Sequence, residues 1–129
     1  MISNSILAET LVKLITSLIE GDNKTIDVEG KLPSMVGLNC IIRSEGAGVF
    51  VGDVTHQDRN IVVLDNCRRL WKWAGACSLS QLAREGVKEP KACRFSVITE
   101  KHMILNVLEV LPTTDEGKAI IYGVQEWKS

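Results

Sequence analysis

Residues 66–76 read N-C-R-R-L-W-K-W-A-G-A, so two arginines, a lysine and two tryptophans fall within six positions of a chain that is only 5% aromatic. In an extended conformation Arg69, Trp71 and Trp73 share one face, and Arg68, Leu70 and Lys72 share the other. The first face sets a guanidinium beside two indoles, on which a planar base can stack while the guanidinium pairs with a phosphate. The same residues have a structural use, with the tryptophans in the core and the arginines solvated. A single bulge in this strand exchanges Arg68 and Arg69, so the sequence leaves open which of them faces a cleft.

Two further segments offer donors to an anion. In R-S-E-G-A-G (residues 43–48) the glycines permit positive φ, and consecutive amides ending at Gly48 could cradle a phosphate beside Arg43. A hairpin turn accounts for the same glycines, and G-x-x-x-x-G-K-[ST] and the dinucleotide fingerprint are both absent. Ser78 and Ser80 open a helix directly after the tryptophan segment, where free amides and hydroxyls attract anions or simply cap the helix.

Residues for catalysis are sparse. Asp53, His56 and Asp58 lie close together, and His102 is the other histidine; neither histidine belongs to a metal-binding pattern. The four cysteines, Cys40, Cys67, Cys77 and Cys93, form no C-x-x-C pair. They read as reduced core thiols of a cytosolic protein. Neither a metal nor a cofactor is expected.

The elements that must carry these residues fit a single domain of 129 residues. Residues 4–20 form an amphipathic stripe of Leu7, Leu11, Leu14, Ile15, Leu18 and Ile19, ending at Gly21. This helix covers its own domain or pairs with another subunit. Residues 1–37 are therefore read as helix and connector, and 38–129 as the core domain. Strands are predicted at 36–43, 47–54, 60–65, 93–99 and 103–111, and short helices at 78–86 and from Thr113 through Ile121 with Glu116 completing a capping box. The predicted fold class is α+β, a small antiparallel sheet or half-open barrel with short helices.

Fifteen basic against sixteen acidic residues leave a net charge of −1, which argues against binding duplex nucleic acid. The chain is 45% hydrophobic and 24% charged, as in a globular protein, and no apolar stretch is long enough to span a membrane. The N-terminus lacks a basic lead and carries Glu9 inside its apolar stretch, unlike a secretory signal.

R-S-E-G-A-G-V-F-V-G, N-C-R-R-L-W-K-W-A-G-A-C-S-L-S-Q-L-A-R-E-G-V and L-E-V-L-P-T-T together resemble a family of small proteins from tailed bacteriophages and prophages. The resemblance covers roughly residues 38–127. Its most specific positions are Asn66, Arg68, Arg69, Trp71, Trp73, Gly75 and Ala76, with Arg43, Ala47, Gly48 and Gly52 in the first block. Cys67 stands where alanine is expected, and the N-terminal helix lies outside the shared pattern. The resemblance implies the cytoplasm of an infected bacterium and carries over no reaction.

Three functions follow as expectations. The first is a non-enzymatic sponge that sequesters a nucleotide-type immune signal, cyclic nucleotides included, assembled as a homo-oligomer to enclose its ligand. Its expected ligand residues are Arg43, Gly48, Arg68, Arg69, Trp71, Trp73 and Ser78. The alternatives are a virion or host-protein interaction module, with the tryptophans and arginines as anchors, and a signal-degrading phosphodiesterase.

Overall fold

Runs of Val, Ile and Phe broken by polar turns build the strands, and the computed structural model describes them within residues 34–128. The strands are β1 (Asn39–Ser44), β2 (Gly48–Asp58), β3 (Ile61–Lys72), β4 (Arg94–Ile104) and β5 (Val107–Pro112); the helices are α1 (Leu79–Glu85) and α2 (Asp115–Gly123). The strands form one antiparallel sheet in the order β4-β3-β2-β1-β5, so the fold is a small α+β domain with an open five-stranded sheet. The predicted helix at 4–20 lies outside the described residues. Among the described residues no helix is long and apolar enough to cross a membrane.

Both faces of the sheet are buried. On one, Ile41, Val51, Leu70 and Phe95 pack under Leu82 and Ala83 of α1 and Ile121 of α2. On the other, Cys40, Ile42, Phe50, Val54, Leu64 and Ile104 form a second core with Val107 and Val110. Strands from both edges contribute to this second core, so it lies inside the curl of the sheet. The curl is tied at one end, where only Leu105 and Asn106 separate β4 from β5 although these strands occupy opposite edges. Asn106, at φ 54°, accepts from the Glu45 amide (3.0 Å), and the Val107 amide donates to the Asn60 carbonyl (2.8 Å). The Ser44 hydroxyl donates to the Leu105 carbonyl (2.5 Å).

Capping defines the helices. Ser78 Oγ accepts from the Gln81 amide at the start of α1, and Gly86, at φ 73°, ends it. Thr114, one residue beyond the predicted cap, accepts from the Gly117 amide at 2.9 Å and donates to the Arg84 carbonyl at 2.6 Å. Thr113 instead donates to Asn39 Oδ1 at 2.7 Å. Gly117 lies against the Ala83 carbonyl with no room for a Cβ, which lets the two helices touch.

Several boundaries differ from the sequence expectation. The predicted strand at 103–111 is two strands, because left-handed Asn106 turns the chain within an unbroken apolar run. β2 continues through His56 to Asp58, moving the turn to Arg59 and Asn60. β3 does not stop at Asp65 and carries the arginine–tryptophan segment as far as Lys72. Cys40, Cys67 and Cys93 are buried free thiols as expected, whereas Cys77 is exposed and not a core residue.

Candidate functional site

Two irregularities in β3 decide which side chains meet. Arg68 pairs with Val51 and Asp65 with Asp53, so Asn66 and Cys67 together oppose Gly52. Asn66 adopts φ 51°, a left-handed conformation that asparagine tolerates better than most residues. A Cβ on Gly52 would approach Leu64 Cβ to 2.8 Å, so the bulge needs glycine opposite it. Further on, Leu70 pairs with Phe95 and Lys72 with Arg94, leaving Trp71 as the extra residue. The first bulge turns Arg68 toward the helices and Arg69 to the inner face; the second keeps Trp71 with Arg69 and sends Trp73 to the helix side.

Arg69 and Trp71 line a cavity of about 200 Å³ with Cys67, Ser96, Val97, Thr99 and His102. The Arg69 guanidinium lies between two aromatic rings, 4.7 Å from the Phe50 centroid and 4.9 Å from that of Trp71. Its Nε is buried with no hydrogen-bond partner. Among the described residues it pairs with no carboxylate. The Arg69 amide is fixed by Ser96 Oγ at 2.8 Å. His102 lies 5.4 Å from Phe50, ring to ring, with its Nδ1 3.4 Å from Thr99 Oγ1. Trp71 is 55% exposed and forms the rim. Burial pushes the Cys67 thiol up to about 12, with the Arg69 charge and the Thr99 hydroxyl opposing, so the thiol stays protonated at neutral pH.

The other expected ligand residues lie elsewhere. Arg68 is 1% exposed, the largest fully buried side chain among the described residues. Its Nε donates to the Ser96 carbonyl (2.7 Å) and its Nη1 to the Ile121 carbonyl (2.8 Å), and it rests 5.5 Å from the Phe95 centroid. It fastens α2 to the sheet. Arg43 is paired with Glu109 at 2.7 Å on β5. Gly48, at φ 107°, begins β2 opposite Ser44. Ser78 caps α1, and Trp73 packs against the helix-side core. Of the seven, the structure joins Arg69 and Trp71 and separates the rest from them.

Asp53 belongs to a polar cluster on the helix side. It accepts from Asn39 Nδ2 (2.8 Å) and Asn66 Nδ2 (3.0 Å), with Lys118 at 3.9 Å. Burial raises its pKa, but the two amides and the Lys118 charge outweigh this and hold the carboxyl below its ordinary value. The Tyr122 hydroxyl donates to the Asn66 carbonyl at 2.7 Å and accepts from Asn39 Nδ2 at 3.1 Å. The cluster thus braces the bulge that orients Arg69. Among the described residues the His56 ring bonds only its neighbour Thr55 (3.1 Å), and no group of three or more His, Cys, Asp or Glu is placed to hold a metal ion.

Sequence reasoning missed Ser96, Val97 and Thr99 as pocket residues and Phe50 as the ring against Arg69, and weighed His102 only for catalysis. They reach Arg69 through strand pairing, which leaves no local signature. Asn66 in the shared pattern was the available hint, since asparagine favours left-handed backbone.

A small α+β domain with one stacked, unpaired arginine at the mouth of a pocket is thereby defined. Residues 37–121 match the model of the family described as a domain of unknown function (DUF6948), and the chain belongs to that family. No curated protein and no solved structure matches the chain.

Proposed function

We propose that this protein is a non-enzymatic binding module that takes a planar, anionic, nucleotide-type molecule between Arg69 and Trp71. The observation carrying this reading is the Arg69 guanidinium, stacked between Phe50 and Trp71 with a buried Nε that has no acceptor. A buried donor without a partner is unfavourable, and a phosphate oxygen would satisfy it with a charge-assisted bond. Trp71 supplies an accessible indole for a base, and the Ser96 and Thr99 hydroxyls and the His102 imidazole stand along the wall for polar edges. The protonated Cys67 thiol favours retention of the ligand over nucleophilic attack on it.

The resemblance to phage proteins supports a compartment, the cytoplasm of an infected bacterium; the role proposed there is sequestration of a nucleotide-type immune signal by a homo-oligomer, with the curled sheet acting as a half-open barrel. A second reading, a protein-interaction module, is favoured by the exposure of Trp71 (55%) and Val97 (39%), which line one pocket from β3 and the edge strand β4.

A thermal-shift screen against mononucleotides, cyclic di- and trinucleotides and cyclic ADP-ribose isomers tests the proposal. A ligand at ~100 times its Kd adds about 2.7 kcal/mol of apparent stability, and the shift should vanish in Arg69→Ala. A ligand recovered intact from the denatured protein supports sequestration. Recovery of cleaved ligand would establish an enzyme, and silence across the panel would move the interaction reading to first place.

A further inference from the structure

The pocket is one of two arginine–tryptophan pairs at this end of the sheet. The chain leaving α2 runs beside the start of β4, where Glu126 bridges Phe95 in parallel and the Trp127 amide donates to the Phe95 carbonyl at 2.9 Å. Trp127 is thereby held against Arg94, whose guanidinium lies 5.1 Å from the indole centroid. Trp127 remains 50% exposed, almost as open as Trp71.

β4 joins the two pairs. Arg94 is the cross-strand partner of Lys72, which directly follows Trp71. Because Trp71 is the extra residue of its bulge, it and Lys72 lie on the same side of the sheet as Arg94. Lys72 and Arg94 are both exposed, and among the described residues neither pairs with a carboxylate. The order across the sheet end is therefore indole, two unpaired cations, indole. The backbones carrying the indoles lie two strand spacings apart, about 10 Å. A cavity of about 200 Å³ is smaller than the roughly 300–1,000 Å³ of a site enclosing a whole drug-sized ligand, so it has room for only one part of such a molecule.

We propose that the site is bipartite and that its ligand carries two nucleobases joined by a phosphodiester. One base stacks on Trp71 beside Arg69, the second on Trp127 beside Arg94, and Lys72 with Arg94 meets the phosphate between them. This rests on the nucleotide-binding reading of the Arg69–Trp71 pocket and extends it to the C-terminal segment. Cyclic and linear dinucleotides share the chemistry, and the test separates them.

Isothermal titration of the full chain with adenosine monophosphate, linear diadenylate and cyclic diadenylate, using wild type, Trp71→Ala and Trp127→Ala, provides that test. Loss of a base-stacking indole should weaken binding about tenfold. Trp71→Ala is expected to weaken all three probes. Trp127→Ala is expected to weaken one or both dinucleotides and leave the mononucleotide unchanged, the dinucleotide it affects more identifying the linear or cyclic form. Arg94→Gln, at an exposed position, repeats the measurement without altering the Trp127 backbone contacts. Wild-type dinucleotide affinity in both Trp127→Ala and Arg94→Gln would overturn the bipartite site while leaving the pocket reading intact. Failure of wild type to bind any of the three would overturn both. A longer single strand binding more tightly than either dinucleotide, with the same loss in Trp127→Ala, would replace the small ligand with single-stranded nucleic acid.

Discussion

Arg68 and Arg69 are adjacent in the chain and lie on opposite faces of the sheet. Arg68 is locked to the carbonyls of Ser96 and Ile121, while Arg69 is stacked on Phe50 and Trp71 with its Nε unbonded. Two identical side chains thus have separable uses. Arg68→Ala leaves a cavity and two carbonyls without their donor, and should destabilise the fold by about 3 kcal/mol or more. Arg69→Ala should change stability by less than about 1 kcal/mol while weakening a bound phosphate ligand by about 1.5–3 kcal/mol. Urea denaturation alongside ligand titration distinguishes the two; equal destabilisation by both variants would contradict the assignment.

Gly52 is predicted to be the least tolerant glycine in the sheet. Alanine there would put a Cβ 2.8 Å from Leu64 Cβ and 3.2 Å from the Asp65 carbonyl, an overpacking expected to cost about 1–3 kcal/mol. Gly123→Ala, with nothing within 4 Å, is the control and should be neutral or slightly stabilising by thermal melt.

The brace behind the bulge should couple stability to binding. Tyr122→Phe removes the hydroxyl that donates to the Asn66 carbonyl at 2.7 Å and should cost about 1 kcal/mol. Asn66→Ala loses the Asp53 bond and must also hold a left-handed backbone, for a cost of about 2 kcal/mol or more. Asn66→Gly retains the backbone freedom and should recover part of that loss, in stability and in ligand affinity alike.

Stability should fall on the alkaline side. Burial, reinforced by the Asp53 charge, raises Cys40 from 9.0 to about 11, and burial raises Cys67 from 9.0 to about 12. In the unfolded chain both thiols ionise near pH 9 and release protons the folded protein keeps. Stability is therefore full below pH 9 and declines above it, with at most about 1.4 kcal/mol per pH unit from each titrating thiol. The lowered carboxyl of Asp53 acts in the opposite sense. Its contribution is present above the ordinary aspartate range and is lost as pH falls through the folded value. Melts between pH 3 and 11 should show decline at both ends, and Cys67→Ala, the residue expected in the shared pattern, should flatten the alkaline limb.

The antiparallel sheet and the two short helices were legible because their signals are local: alternating apolar residues, glycine turns and hydroxyl caps. The face-sharing of Arg69 with Trp71 also followed from simple alternation. Trp73 did not, because the extra residue at Trp71 shifts the phase, and a bulge is written in the pairing with β4 rather than in β3 itself. The break at Asn106 was hidden for a related reason. Met103–Ile104–Leu105 and Val107–Leu108 make one apolar run, and a lone asparagine marks the place where the chain leaves one edge of the sheet for the other. Ser96 and Thr99 join the pocket, and Phe50 stacks on Arg69, from strands that become neighbours only on folding.

The two-residue link between opposite edges also sets an order of assembly. The hairpins β1–β2 and β2–β3 close over short separations, whereas joining β5 to β1 brings together residues such as Asn39 and Thr113, 74 positions apart. Loop-closure entropy makes that ladder the last to form. Until then β1 presents an unpaired edge, so a chain still lacking β5 is the species most prone to adhere to its neighbours. In hydrogen exchange the β1–β5 amides should open ahead of those shared by β2 and β3, marking the seam by which the sheet comes apart.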